Sequence, residues 1–172
     1  MRRSRAFLPV LTVILLAAGI FCATSVSRGS EDGIPAGELL EYQRESSRIP
    51  EDWACAEALT ENAWAVLFFD PEDPSECCYR LCAVREGEQG YFLRGGGDTS
   101  EVRDAVGVFP LRDTPDQAVI SANTAQVARI ETSAGTVEVD PEKPFVLLLP
   151  QEMDLRFYDR DGNPVTARGH TW

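Results

Sequence analysis

Four cysteines, Cys55, Cys77, Cys78 and Cys82, are the residues of this chain whose type and spacing offer the most chemistry. Thiols can pair as disulfides, ligate zinc or exchange electrons with other thiols. In an oxidising compartment an even number points to two disulfides, and four cysteines allow three connectivities. On an extended strand, residues four or five apart lie about 13–17 Å from one another, whereas bridged Cα atoms stand about 4.4–6.8 Å apart. If the segment from Cys77 to Cys82 is all strand, neither Cys77 nor Cys78 reaches Cys82; a Cys78–Cys82 bridge needs a helix or a sharp turn. Pairing of Cys55 with one of the cluster is then the expected staple, closing a loop of about 23 residues worth about 3 kcal/mol in the chain-entropy model. Zinc is disfavoured because exported thiols tend to pair and the single histidine, His170, sits at the chain's end. The Cys-x-x-Cys spacing of thioredoxin-like redox enzymes is missing.

Other constellations carry weaker signals. Asp159-Arg160-Asp161-Gly162-Asn163 contains Asp-x-Asp-Gly, part of a calcium loop, but alignment on Gly162 puts Phe157 at the first ligand and Arg168 where a bidentate Glu is needed. A hairpin turn accounts for the same residues. Asp70, Glu72, Asp73 and Glu76 supply oxygens without meeting any metal-ligand spacing, and Pro71 and Pro74 stiffen their loop. Gly95 to Gly97 precede an expected helical turn, yet the lysine of a phosphate loop is missing, so a flexible connector is expected there. Nucleophilic catalysis wants an oriented base, for which His170 is poorly placed. Paired carboxylates for glycoside hydrolysis are uninformative among 28 acidic residues. Trp64, Tyr79, Tyr91, Phe92 and Tyr158 are available for a binding face, although a small β domain needs most such rings in its core.

The compartment follows from the amino terminus. Arg2, Arg3 and Arg5 precede an uncharged, mostly apolar run from Ala6 to Ala23. As a helix these positions span about 27 Å, close to the hydrocarbon thickness of a bilayer. Positive flanks stay inside, which places the remainder outside the cytoplasm. The run exceeds the apolar core of a typical signal peptide, and Ala23-Thr24-Ser25 and Ser25-Val26-Ser27 are mediocre cleavage patterns. Phe21 argues against lipidation at Cys22, and Phe7 and Leu8 stand too far along for a twin-arginine export signal. A retained single-pass anchor is expected, with secretion after cleavage as the alternative.

All 28 acidic residues follow this segment, whereas three of the 16 basic ones precede it; 13 against 28 leaves −15 on the outer part. That field repels phosphate backbones, so nucleic acid is excluded as a partner class. The organisation expected is a cytoplasmic basic flank (1–5), a transmembrane signal-anchor (6–26), a flexible tether (27–35) and an extracytoplasmic domain (36–172).

Within that domain, 36–48 reads as a helix with Leu39, Leu40 and Tyr42 inward. A second helix is expected from Pro50 to about Glu61, with proline at its first position, Glu51 and Asp52 at the positive dipole end and Cys55 riding on it. The apolar run from Ala63 to Phe69 predicts a strand covered on both faces. Tyr79 to Arg85 alternates, and a Gly-containing turn leads into Tyr91 to Arg94 as a hairpin. Asp98 and Glu101 have capping-box spacing for a turn of helix near Ser100 to Ala105. Further strands are expected at 106–111, 118–121, 126–132, 136–139, 145–149, 155–158 and 164–167, with hairpins at Ser133-Ala134-Gly135 and Asp161-Gly162.

The fold class expected is mainly β: an antiparallel β-sandwich or partly open barrel of about 8–9 short strands behind one or two short helices and the transmembrane helix. The expected role is a non-enzymatic binding or accessory module of the cell envelope, held to the membrane through residues 6–26 and engaging a protein or envelope component. A carboxylate-dependent envelope hydrolase and a thiol–disulfide redox protein are the alternatives. No catalytic, cofactor-binding or metal-binding residue is assigned; Cys55, Cys77, Cys78 and Cys82 are the disulfide candidates.

Overall fold

The computed structural model describes residues 33–98 and 100–169. The candidate anchor 6–26 with its basic flank, the tether up to residue 32, Cys22 and His170 lie outside the described residues. No helix among the described residues is long and apolar enough to cross a membrane.

The domain is mainly β, with twelve strands among the described residues rather than eight or nine. They are β1 (Ala54–Leu59), β2 (Ala63–Phe69), β3 (Cys77–Ala83), β4 (Phe92–Gly97), β5 (Val106–Pro110), β6 (Asp116–Ser121), β7 (Val127–Thr132), β8 (Gly135–Glu138), β9 (Phe145–Pro150), β10 (Leu155–Asp159), β11 (Pro164–Val165) and β12 (Ala167–Gly169). One helix, α1 (Leu39–Ser46), follows a 3-10 turn at Ala36–Glu38, and a single turn, α2 (Ser100–Arg103), precedes β5. The strands form three four-stranded sheets, ordered β1-β2-β3-β4, β12-β5-β6-β9 and β11-β10-β7-β8. Pairing is antiparallel except between β12 and β5, so the sheet system is mixed.

Strand periodicity explains how three sheets share three cores. On β2, Ala63, Ala65 and Leu67 point to one side and meet Tyr79, Leu81, Phe109, Ala118 and Ile120, the core between the first and second sheets. Trp64, Val66 and Phe68 point to the other side, where α1 covers them with Leu39. The expectation of a strand buried on both faces is met at β2. A third core joins Val106, Val119 and Phe145 of the second sheet to Val127, Ile130 and Phe157 of the third. The layers are therefore helix, sheet, sheet, sheet, and β6, buried at every position, runs through the middle.

The helix expected from Pro50 to Glu61 is instead strand β1. Ala, Glu and Leu suit a helix locally, but Ala54 to Leu59 pairs residue for residue with Phe69 to Trp64, which satisfies its backbone, and Ala56 and Ala58 reach the core at the two-residue period. Pro50 begins only a turn, accepting from Trp53 N at 3.3 Å. Gly95 to Gly97, expected as a connector, belong to β4. The 36–48 helix is present as α1 and closes on Arg48, whose φ of 55° is left-handed. The hairpin turns at Ser133-Ala134-Gly135 and Asp161-Gly162 both form: Gly162 takes φ 84°, and Asp159 Oδ1 accepts from the N–H groups of Asp161 and Asn163.

Candidate functional site

The cysteines come together differently from expectation. Cys77 to Cys82 is strand throughout, so alternation sends Cys77 to the core between the first two sheets and Cys78 and Cys82 to the face under α1. Cys55 pairs with Phe68 across one ladder and Cys78 with Phe68 across the next. The two thus stand two strand spacings apart, about 9–10 Å, beyond disulfide reach. All four described cysteines, Cys55, Cys77, Cys78 and Cys82, are free thiols, and the expected Cys55 staple is not formed because β2 lies between its ends.

Their environment works against thiolate chemistry. Burial pushes the Cys82 thiol up to about 12 and the Cys77 thiol to about 11, only partly offset by Arg80 near the first and Arg103 near the second. Cys55 and Cys78 are also raised, burial again being the main cause. Because the nucleophile is the thiolate, these thiols are predicted to react slowly with a disulfide reagent at pH 8 in the native protein and readily in denaturant. Prompt native-state labelling of Cys82 would show that its burial is breached.

The same shifts set a sign for stability. The folded pKa values exceed the unfolded ones, so the folded state holds these protons longer, and the associated stability is complete below about pH 9 and declines as pH rises toward 11 and 12. Urea midpoints measured at pH 7, 9 and 10.5 are expected to fall at the highest value; a flat profile would contradict buried thiols.

The carboxylate clusters are consumed by local turns. Asp70 accepts from Glu72 N, and Asp73 from Ser75 N and Oγ, which lowers the Asp73 pKa through those bonds. Asp98 pairs with Arg103 at 2.6 Å. Among the described residues, no group of three His, Cys, Asp or Glu side chains could hold a metal ion.

The site that spacing did not reveal lies beside β4. Tyr42, Gln43, Ser46 and Ser47 on the flank of α1 form one wall of a cleft of about 550 Å³, with Arg80, Arg85 and Leu93 opposite. Arg80 and Leu93 also line a second hollow over Arg94, Gly95 and Gly96, and Arg94 in turn lines a third with Arg112. Between them, these three hollows around β4 are lined by four arginines and no carboxylate. In a chain with 28 acidic residues, that is a local reversal of charge.

Packing holds Arg80 in place. Its Nε donates to Ser47 Oγ at 2.9 Å and its Nη1 to the Tyr79 carbonyl at 2.7 Å, which leaves further guanidinium donors, and neither partner is a carboxylate. Arg80 pairs with Gly96 across the ladder. A Cβ at Gly96 would lie 2.6 Å from Tyr79 O and 2.7 Å from Arg80 Cδ, so the glycine is what lets the arginine lie over β4. Gly96→Ala is predicted to cost about 1–3 kcal/mol and displace Arg80, since backbone at that distance must shift. Unchanged stability by urea unfolding would mean the two strands do not approach this closely.

Arg85 and Arg94 are held by other contacts. Arg85 lies 4.1 Å over the Phe92 ring and 3.9 Å from Glu88 in a long, exposed and therefore weak pair, whereas the half-buried Arg94 donates to the Val84 carbonyl at 3.2 Å and stands 3.8 Å from Asp113. Gln43, only 2 % exposed, donates to Cys82 Sγ at 3.7 Å, a poor acceptor. Among the aromatic residues expected as a face, Phe92, Trp64, Tyr79 and Tyr91 are all buried, and of these Phe92 lies against the cleft. Arginines at 80, 85, 94 and 112 show no pattern in sequence; the available hint was an Arg alternating with Cys82 and Val84 on a strand whose hairpin partner is glycine-rich.

Compared with known proteins, the chain matches no family model, no curated protein and no solved structure.

Proposed function

We propose that the chain is a non-enzymatic binding module of the cell envelope, tethered to the membrane by residues 6–26 with its β domain outside, and that its partner, a protein or other envelope component, engages the arginine-lined face beside β4. The observation that carries this reading is the local charge reversal: guanidinium groups line the cleft, and Arg80 is held by a hydroxyl and a carbonyl and not by an acid. Binding rather than catalysis is favoured because the cleft offers cations, hydroxyls and apolar surface but neither a carboxylate pair nor a thiolate. The basic flank and apolar run supply the tether.

The test is a photo-crosslinking residue at Leu93 in the full chain in its own membrane, compared with the same residue at Thr136 on β8. A discrete adduct from Leu93, lost with Arg80→Gln and missing from Thr136, is expected. Identical adducts from both positions, or none from Leu93, would overturn the assignment of this face. Recovery of the intact amino terminus in the membrane fraction is expected for the tether; its recovery only in soluble, shortened form would replace anchoring by secretion.

A further inference from the structure

Strand β4 is the outer strand of the first sheet among the described residues, and its outer edge adjoins the arginine-lined hollows. The N–H and C=O of Tyr91 are paired with Ile34, but beyond that point the outer backbone of 92–97 has no partner strand among the described residues. Sheet edges are usually blunted by short strands, by proline or by charge. The neighbouring sheets follow that rule: β11 and β12 are short, β8 has four residues, β9 ends at Pro150 and β11 begins with Pro164. β4 does not, for it has six residues and no proline, and three successive glycines leave its backbone without side-chain cover. Leu93 on this strand is 55 % exposed, one of two large apolar side chains so exposed among the described residues.

We infer that β4 binds an extended acidic segment of a partner protein by strand addition, its backbone pairing with Leu93 to Gly97 and its carboxylates meeting Arg80 and Arg94. Main-chain pairing supplies affinity in such a mode, and side chains at alternate positions supply specificity. The acidic character follows from the guanidinium groups. Arg80 lies over Gly96 next to the edge with donors to spare, and carboxylate–guanidinium contacts are the strong, charge-assisted kind. The acidic remainder of the domain does not cancel this attraction, since exposed charges farther than about 8 Å are largely screened at physiological ionic strength. The inference deepens the binding-module proposal and rests on it.

The experiment uses the full chain in detergent micelles and a fluorescent acetylated peptide of alternating Glu and Val. Binding is expected, accompanied by slowed amide hydrogen exchange at Leu93 to Gly97. Affinity is expected to fall about tenfold with Arg80→Gln and to recover in part with Arg80→Lys. A Lys-Val peptide is expected to bind far more weakly, and a Glu-Pro peptide, which cannot pair along an edge, not to bind. Exchange on the unsubstituted protein keeps the test decisive if a variant misfolds. Equal binding of the Glu-Val and Lys-Val peptides would overturn the inference, as would protection confined to another strand. Equal binding of the Glu-Pro peptide would also overturn strand addition while leaving a ligand in the cleft, so the broader proposal survives that result. A specific Leu93 crosslink with no peptide binding separates the two in the same way.

Discussion

Asn123→Ala is expected to lower the unfolding free energy by about 3–5 kcal/mol, as much as a large core truncation, although it removes only an amide. Asn123 is 5 % exposed and holds a left-handed φ of 59°. Its Nδ2 protons are shared among the carbonyls of Val127, Asp140 and Lys143 at 3.0–3.2 Å, and its Oδ1 accepts from Val127 N at 2.7 Å. One side chain thereby ties the turn after β6 to the start of β7 and to the loop before β9. Alanine leaves these groups unpaired in a buried place and sits poorly at positive φ. Asn123→Asp is the sharper variant, because it keeps the shape and Oδ1 but turns an acceptor toward three carbonyls. The aspartate can donate only when protonated, so its folded pKa is raised, and the variant is expected to be less destabilised at pH 4 than at pH 7. Urea unfolding followed by tryptophan fluorescence measures both; an Asp variant matching the parent at pH 7 would refute the network.

Phe109→Ala carries the second large effect, about 3–5 kcal/mol, by opening a cavity where the first and second sheets meet. The ring is fully buried and stacks on Tyr79 with centroids 4.7 Å apart and planes at 23°. It also fills the space a side chain at position 107 would take, since a Cβ on Gly107 would come within 2.5 Å of Phe109 Cε2 and 3.1 Å of Val102 Cγ2. Gly107→Ala is therefore expected to be destabilising in the parent and much less so beside Phe109→Ala. A double-mutant cycle by urea unfolding reads this as coupling of about 1 kcal/mol or more. Strict additivity would show that the ring does not lie against Gly107.

Both effects concern residues whose importance depends on distant partners, and the same distinction separates what was legible in the chain from what was not. The apolar run Ala63 to Phe69 announced a strand covered on both faces because each face is apolar at every other position. β1 was not legible, since its alanines and glutamate fit a helix until β2 offers a ladder and a core at strand period. The glycines of β4 looked like a connector because glycine weakens strands; only the crossing of Arg80 over Gly96 gives them a reason to be there. The cysteine spacing excluded Cys77–Cys82 and Cys78–Cys82 bridges on a strand, but the separation of Cys55 from Cys78 by Phe68 required the strand order.

By itself, then, the sequence determined the properties set by neighbours along the chain: a basic flank before an apolar run, an acidic remainder, the β2 strand, the α1 helix and the glycine and aspartate turns. These follow from local periodicity, charge count and backbone preference, which need no knowledge of the fold. The tertiary structure decided what pairing between strands brings together: among the described residues, twelve strands in three sheets, four free thiols split between two faces, and arginines distant in sequence gathered around β4. Pairing register is a long-range choice made by burial and backbone hydrogen bonding summed over many residues, and no short stretch of this chain contains it.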